Sequence, residues 1–185
     1  MGLKDIHIAV LTEDNSEGIT YETPEKLERA VSAKLSPKSN SENIYSDDAV
    51  EDVISTFEGV DVELELNQLS LTSRAKLQGS KVVNGMLIEN KNDIPPTIAL
   101  GFKSKKTNGK YRFVWLLKGK FELTSDEFDT EAEKPNPKTA KLSGKFFSRD
   151  YDGNYRFIVD EDQGNVNTSI ISSWFSEVPE EPNLS

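Results

Sequence analysis

The sequence predicts a mainly β domain, and two stretches of alternating side chains carry this prediction. In residues 110–122 (KYRFVWLLKGKFE), alternate positions place large apolar side chains on one face, namely Tyr111, Phe113, Trp115, Leu117 and Phe121. Val114 and Leu116 fall on the other face, so we expect the centre of this strand to be covered on both sides. In residues 60–66, aliphatic and acidic residues alternate, which is typical of a strand with one buried and one exposed face.

The residues before the first of these strands predict a central antiparallel hairpin. Asn108 and Gly109 stand at the turn, and an Asn-Gly pair tolerates the positive φ of a primed turn. The strand on the other side of the turn spans residues 96–105. Its alternate residues Ile98, Leu100 and Phe102 are expected to share one face.

The remaining elements follow from the same patterns. Further strands are predicted at residues 5–13, 20–26, 29–36, 81–91, 139–149 and 155–159. The strand at 81–91 is interrupted at Asn84 and Gly85, and the last two strands form a second hairpin closed at Asp152 and Gly153. A short helix at 70–78 has Ser70 as its N-cap and Gly79 as its stop. A final helix at about 168–177 presents an apolar inner face composed of Ile170, Ile171, Trp174, Phe175 and Val178.

Two stretches without hydrophobic periodicity are predicted to be extended loop arms. Residues 37–43 (PKSNSEN) form a polar loop, residues 44–57 carry few apolar anchors, and residues 123–137 (LTSDEFDTEAEKPNP) show little alternation. Segments of this composition are suited to becoming ordered against a neighbouring molecule. The candidate assembly residues within them are Tyr45, Asp47, Asp48 and Phe128.

The length of 185 residues fits one domain with a proper core. We predict a single domain over residues 1–178, with arms near 37–57 and 123–137. Residues 179–185 are predicted to form a flexible tail. No stretch has the pattern of a signal peptide or the length of a membrane span, which predicts synthesis in a cytoplasm-like environment without membrane insertion.

Charge is segregated along the chain. The net charge is −10, so ordinary binding to nucleic-acid phosphates is disfavoured. Residues 39–73 contain nine acids and no base, whereas residues 100–121 contain seven bases and no acid. Two interpretations remain open: the blocks are solvated faces, or they are docking surfaces. Within the acidic block, Asp61, Glu63 and Glu65 must share the face opposite the buried residues of their strand.

The sequence offers no constellation for catalysis, a cofactor or a metal. His7 is the only histidine and there is no cysteine, which excludes a histidine-based triad and a multi-histidine metal site. Residues 150–154 (DYDGN) resemble a calcium loop only faintly, because the glycine is misplaced and no flanking helices are predicted. We therefore predict a protein that is not an enzyme, with no catalytic, cofactor-binding or metal-binding residues.

Two regions carry a family resemblance. Residues 113–145 (FVWLLKGKFELTSDEFDTEAEKPNPKTAKLSGK) resemble the corresponding region of major tail proteins, which form the tail tube of long-tailed bacteriophages. The shared features are the LLKG strand, the acidic segment with Phe and E-K-P, and the K-L-S-G strand. The amino-terminal half is similar to the same family through GLKDIHIAVLTEDNSEGITYETPEKL, AVSAKLSP, YSDD and GVDVELEL.

The resemblance implies an antiparallel β-sandwich or barrel-like fold with a short flanking helix and a C-terminal helix. It also implies assembly into homo-hexameric rings that stack into a tube, with other tail proteins (tape measure, tail tip and terminator) as partners. Such a protein would be made in the bacterial host cytoplasm and reside in the virion tail. Asp61, Glu63 and Glu65 would then face a lumen through which DNA passes without specific binding, since like charge gives phosphates nothing to adhere to.

Two other functions remain open at this point. One is the tube protein of a phage-derived bacteriocin or injection device, which the sequence does not separate from a virion tail. The other is a monomeric β-sandwich module that binds carbohydrate or peptide in a groove.

Overall fold

Eleven strands and two short helices make up the described part of the chain. The structure is a computed structural model that describes residues 2–46, 49–122 and 139–181. For residues 42–46 and 49–54 it describes the backbone but not the side chains. The elements are β1 (Leu3–Asn15), β2 (Gly18–Tyr21), β3 (Glu25–Lys26), β4 (Ala30–Ser46), β5 (Ala49–Leu66), α1 (Leu71–Gln78), β6 (Lys81–Val83), β7 (Met86–Ile88), β8 (Ile98–Lys105), β9 (Tyr111–Phe121), β10 (Ala140–Phe147), β11 (Arg156–Asp160) and α2 (Thr168–Ser173).

One antiparallel sheet dominates the fold. Its strand order is β2-β1-β8-β9-β10-β5-β4, with β3 added to β1 and β11 added to β9, while β6 and β7 form a separate two-stranded sheet. β1 also contacts β4, so the sheet folds over on itself around the core. The prediction of a mainly β, α+β sandwich-like fold with two short helices is therefore confirmed.

The core has two layers that lie on opposite sides of β9. Val114 and Leu116 join the larger cluster, which β1, β5, β8, β10 and α1 complete. Phe113, Trp115 and Leu117 join the smaller cluster, which packs beneath the segment that contains α2. The expectation that the centre of this strand is covered on both sides is confirmed.

A β-bulge corrects the predicted face of Phe121. Ile98 pairs with Gly119, whereas Leu100 pairs with Leu116, so β9 contains one residue more than β8 between these two pairs. An extra residue reverses the alternation beyond it. Phe121 therefore packs in the larger cluster, on the face opposite Trp115.

The hairpin between β8 and β9 forms as predicted, but its turn is of another kind. The Gly109 N–H donates to the Lys106 carbonyl over 3.1 Å, and Gly109 has a φ of 85°. Asn108 does not adopt a positive φ, so the loop is an ordinary turn followed by a left-handed glycine. The primed Asn-Gly turn of the fold joins β6 to β7, with φ values of 49° at Asn84 and 78° at Gly85.

The prediction that residues 139–149 and 155–159 form a hairpin is wrong. β10 pairs with Lys118–Phe121 of β9, and β11 pairs with Arg112–Leu116 of the same strand. The two strands thus lie end to end along one edge of β9. The turn at Asp152 and Gly153 belongs to a loop that leaves this edge and returns to it, with the Leu117 N–H bonded to the Tyr155 carbonyl at 3.1 Å.

The predicted polar loop at residues 37–43 is instead part of a long hairpin of β4 and β5. The two strands pair from Ala30 and Leu66 to Ser46 and Ala49, and Tyr45 lies opposite Val50. β10 borders β5 only from Val60 to Leu66. We call the outer part, residues 38–46 and 49–59, the arm. Asp47, Asp48, Phe128 and the predicted second arm at 123–137 lie outside the described residues.

Both helices begin where predicted. The Ser70 side chain accepts from the Ser73 N–H at 3.1 Å, and Gly79 closes α1 with a φ of 72°. α2 ends at Ser173, earlier than expected, and turns carry the chain on to the buried Val178. The Trp115 indole N–H donates to the Trp174 carbonyl at 2.8 Å and so fastens this segment to β9.

Candidate functional site

The outer face of β4, β5, β10 and the end of β9 brings together the candidate site residues of the acidic strand. On β5, Val60, Val62, Leu64 and Leu66 are buried, so the intervening acids point away from the core. The register places lysines on both sides of them. We call this surface the charged face; it consists of Asp61, Glu63, Glu65, Lys34, Lys38, Lys120, Lys141 and Lys145.

Each acid of the charged face has a polar partner on a neighbouring strand. Lys34 Nζ lies 3.4 Å from Glu63 Oε1, and Lys38 Nζ lies 3.5 Å from Asp61 Oδ2. Glu65 accepts hydrogen bonds from Thr139 Oγ1 at 2.6 Å and from Ser32 Oγ at 3.2 Å. The bond from Thr139 is the main reason that the pKa of Glu65 is lowered. The acids therefore stand beside polar groups of the neighbouring strands, although the two lysine pairs are long and largely exposed.

The charged face is not the purely acidic surface that the run of acids in residues 39–73 suggested. Three carboxylates stand between lysines contributed by strands before and after them in the chain, because the sheet places β4 and β10 on either side of β5. A shallow depression of about 380 Å³ lies among Ser32, Lys34, Glu63, Glu65, Lys141 and Ser143. This surface can contact groups of either sign through hydrogen bonds and charge.

The basic block at residues 100–121 is likewise divided among acids from elsewhere in the chain. Lys103 lies 2.7 Å from Asp5, and Lys118 lies 2.7 Å from the buried carboxylate of Asp14. Arg112 holds Asp160 at 2.6 Å, and this hydrogen bond lowers the pKa of Asp160 far below its ordinary value. Much of the segregated charge therefore forms ion pairs within the protein, a third outcome beside the two interpretations above.

Sequence reasoning missed a buried arginine beside the loop between β10 and β11. Arg149 is only 2% exposed, and its Nε donates to Asp152 Oδ1 at 3.0 Å, with a second contact through Nη2. The guanidinium carbon lies 5.2 Å above the Phe157 ring. The i,i+3 spacing of Arg149 and Asp152 was the available signal. The contact holds the loop closed, which is a structural role.

The other candidate residues do not join the charged face as one site. Tyr45 lies on β4 near the far end of the arm, opposite Val50. Asp47, Asp48 and Phe128 fall outside the described residues. Among the residues that the structure describes, no group of three or more His, Cys, Asp or Glu side chains is placed to hold a metal ion.

Comparison with protein-family models and with curated proteins gave no match to this chain. Within the described ranges, no helix combines the length and apolar character needed to cross a bilayer.

Proposed function

We propose that the protein is the structural subunit of a bacteriophage tail tube, assembling as stacked homo-hexameric rings around a channel for genome delivery. The role is architectural: it requires no catalytic residue and no cofactor. Its partners are copies of itself and the tape-measure, tail-tip and terminator proteins. It is made in the bacterial host cytoplasm and resides in the virion tail, and DNA passes through the ring without specific binding.

The arm is the observation that carries this proposal. β10 pairs with β5 only from Val60 to Leu66, and the arm extends beyond that part. In the described structure the two arm strands therefore pair only with each other. The described side chains at its base, residues 38–41 and 55–58, are exposed. A two-stranded ribbon is at best marginally stable in water by itself. Contact with a neighbouring copy would supply the missing cover.

The edges of the main sheet also support assembly into a ring. The sheet ends at β4 on one side and at β2 on the other, and both edges are free of further strands in the described part of the chain. A different patch on each side of a subunit suits a head-to-tail contact between neighbouring copies. Such contacts make a closed ring when the rotations from one subunit to the next add up to a full turn.

We further propose that Asp61, Glu63 and Glu65 face the lumen together with the lysines beside them. Neighbouring strands lie roughly 4.8 Å apart, so a phosphate close to a lysine of β4 or β10 is also close to a carboxylate of β5. This arrangement gives DNA no uninterrupted basic track. The expected result is weak, non-adhesive contact rather than repulsion by a uniformly acidic wall.

Electron microscopy of concentrated, purified protein tests the proposal. We expect rings or tubes with a central hole, formed after long incubation or on addition of a tail-tip initiator. A bacteriocin or injection-device tube would look the same, and the presence of a genome-filled capsid on the producing particle separates the two. Monodisperse particles under both conditions would favour the monomeric binding module and overturn the proposal.

A further inference from the structure

A second surface, unrelated to the charged face, has the features of a peptide-binding groove. It is a cleft of about 450 Å³ between β11 and the segment from α2 to Glu181. We infer that this groove binds an extended peptide of a partner protein, one that carries an apolar side chain flanked by Lys or Arg. This inference does not depend on the proposed tube function.

The groove runs along the edge of β11. Phe157, Ile158 and Val159 all line it, although consecutive strand residues point to opposite faces of a sheet. Three successive residues can border one cleft only if the cleft follows the strand edge. In the described structure β11 pairs with β9 alone, so the backbone along its other edge is available to a further strand. An extended peptide can add to such an edge by main-chain hydrogen bonds.

The floor of the groove is apolar, and one residue that lines it has an unused donor. Ile158 is 43% exposed at its border, and Ile170, Trp174 and Pro179 form its opposite side. Trp174 is 2% exposed, yet its indole N–H has no hydrogen-bond partner among the described residues. Buried donors are ordinarily satisfied. The volume lies within the roughly 300–1,000 Å³ of typical ligand pockets, enough for an apolar anchor.

Charge decides which peptide fits. Three glutamates, Glu177, Glu180 and Glu181, stand on the side of the groove formed by the carboxy-terminal segment. Glu177 and Glu180 are exposed, and neither forms an ion pair within the described part of the chain. A ligand with Lys or Arg beside its apolar anchor would neutralise them, whereas an acidic segment would be repelled.

Selection from a displayed library of random octapeptides on the full-length protein tests this inference. The enriched peptides should combine an apolar residue with Lys or Arg. A fluorescently labelled synthetic copy of one of them should bind the protein, as measured by the rise in its fluorescence anisotropy. Methylating alternate backbone nitrogens of that peptide should weaken binding at least about tenfold, because strand addition needs those N–H groups. No enrichment, enrichment of acidic peptides, or unchanged binding after methylation would overturn the inference.

Matched variants locate the site. Glu177→Lys with Glu180→Lys should weaken binding of the basic peptide by roughly tenfold, since each exposed pair contributes up to about 1 kcal/mol. Glu17→Lys with Glu122→Lys changes the net charge equally, at the β1–β2 turn and beyond the end of β9, and should leave binding unchanged. Equal losses in both double variants would show that only overall charge matters and would refute the site.

The two indole N–H signals of the protein give a readout that needs no variant. In a ¹⁵N spectrum, peptide binding should shift the Trp174 signal, while the Trp115 signal, whose N–H is already bonded to the Trp174 carbonyl, should move less. A Trp174 signal that shifts with protein concentration alone would identify the occupant as a second copy of this chain. That result, or a Trp174 signal insensitive to the peptide, would contradict the inference.

Discussion

Gly101 lies directly opposite Trp115 across the β8–β9 pair, and the indole ring occupies the space above the glycine. A Cβ atom at position 101 would come within 2.6 Å of two ring carbons. Trp115 has no exposed surface, and its N–H is bonded to the Trp174 carbonyl, so the ring has no room to turn aside. This pair therefore joins the central hairpin to the segment that closes the smaller core cluster.

Replacing Gly101 with alanine should lower the free energy of unfolding by about 2 kcal/mol. The added methyl group overpacks a site that is closed on every side, and such changes typically cost about 1–3 kcal/mol. Urea denaturation of both proteins measures the difference. Gly164→Ala is the matched control, because a Cβ there meets nothing within 4 Å and its φ is not positive. Equal midpoints for the Gly101 variant and the control would contradict the close contact.

Asp5→Asn should reduce stability at neutral pH and have little effect in strong acid. Hydrogen bonds from Lys103 and then Lys26 lower the pKa of Asp5 from 3.8 to about 2. Since the folded-state pKa is below the unfolded value, the stabilisation is present above about pH 4 and is lost as the pH falls towards 2. We expect a loss of about 1 kcal/mol at pH 7, because the pair is partly exposed.

Asparagine suits this test because Asp5 has a φ of 52°, a conformation that asparagine also tolerates. Unfolding in urea between pH 2 and pH 7 gives the profile. Glu17→Gln, at an exposed acid of the β1–β2 turn, serves as the control for the loss of one negative charge. A constant difference across the range would mean that the Asp5 charge is not responsible.

Neutralising the acids of the charged face should make assembled tubes retain DNA. The variant Asp61→Asn with Glu63→Gln and Glu65→Gln leaves the lysines of that face unopposed. Tubes built from it should bind duplex DNA at low salt and release it as salt shortens the screening length to about 10 Å near 0.1 M. Retention is measured by co-sedimentation of tubes with labelled DNA.

The neutral variant is preferable to three lysines. Lysine at all three positions would place like charges directly opposite one another on adjacent strands, which destabilises a sheet. Changing Glu13, Glu17 and Glu122 to glutamine alters the net charge equally at other places and should not cause retention. Tubes of the charged-face variant that pass DNA freely at low salt would mean that these acids do not line the channel.

Hydrogen exchange should separate the arm from the core. In the monomer, amides of the arm should exchange quickly, because the arm strands have only each other as backbone partners. The amides of β9 should be protected, since its central residues are buried between two clusters. In assembled tubes the arm should become protected while β9 stays unchanged. Residues 123–137 are predicted to follow the arm. Equal protection in both states would show that these segments do not contact neighbours.

Local pattern was enough to predict several elements and their buried faces. The alternation in β5 and β8 identified which residues enter the core, because side chains on a strand point to opposite faces at every step. Ser70 and Gly79 similarly bounded α1, since capping depends only on residues close in sequence. The three acids of β5 could be assigned to one face for the same reason.

Partners and register were decided by the tertiary structure. Contacts between residues distant in the chain decide whether β10 pairs with β11 or with β9. They also decide where the bulge in β9 lies, and hence on which face of the strand Phe121 packs. The same holds for charge: the sequence determines that acids and bases form separate blocks, but only the order of strands places Lys34 beside Glu63 and Lys103 beside Asp5. Ion pairs form between neighbours in space, and the sheet brings together residues that the chain keeps apart.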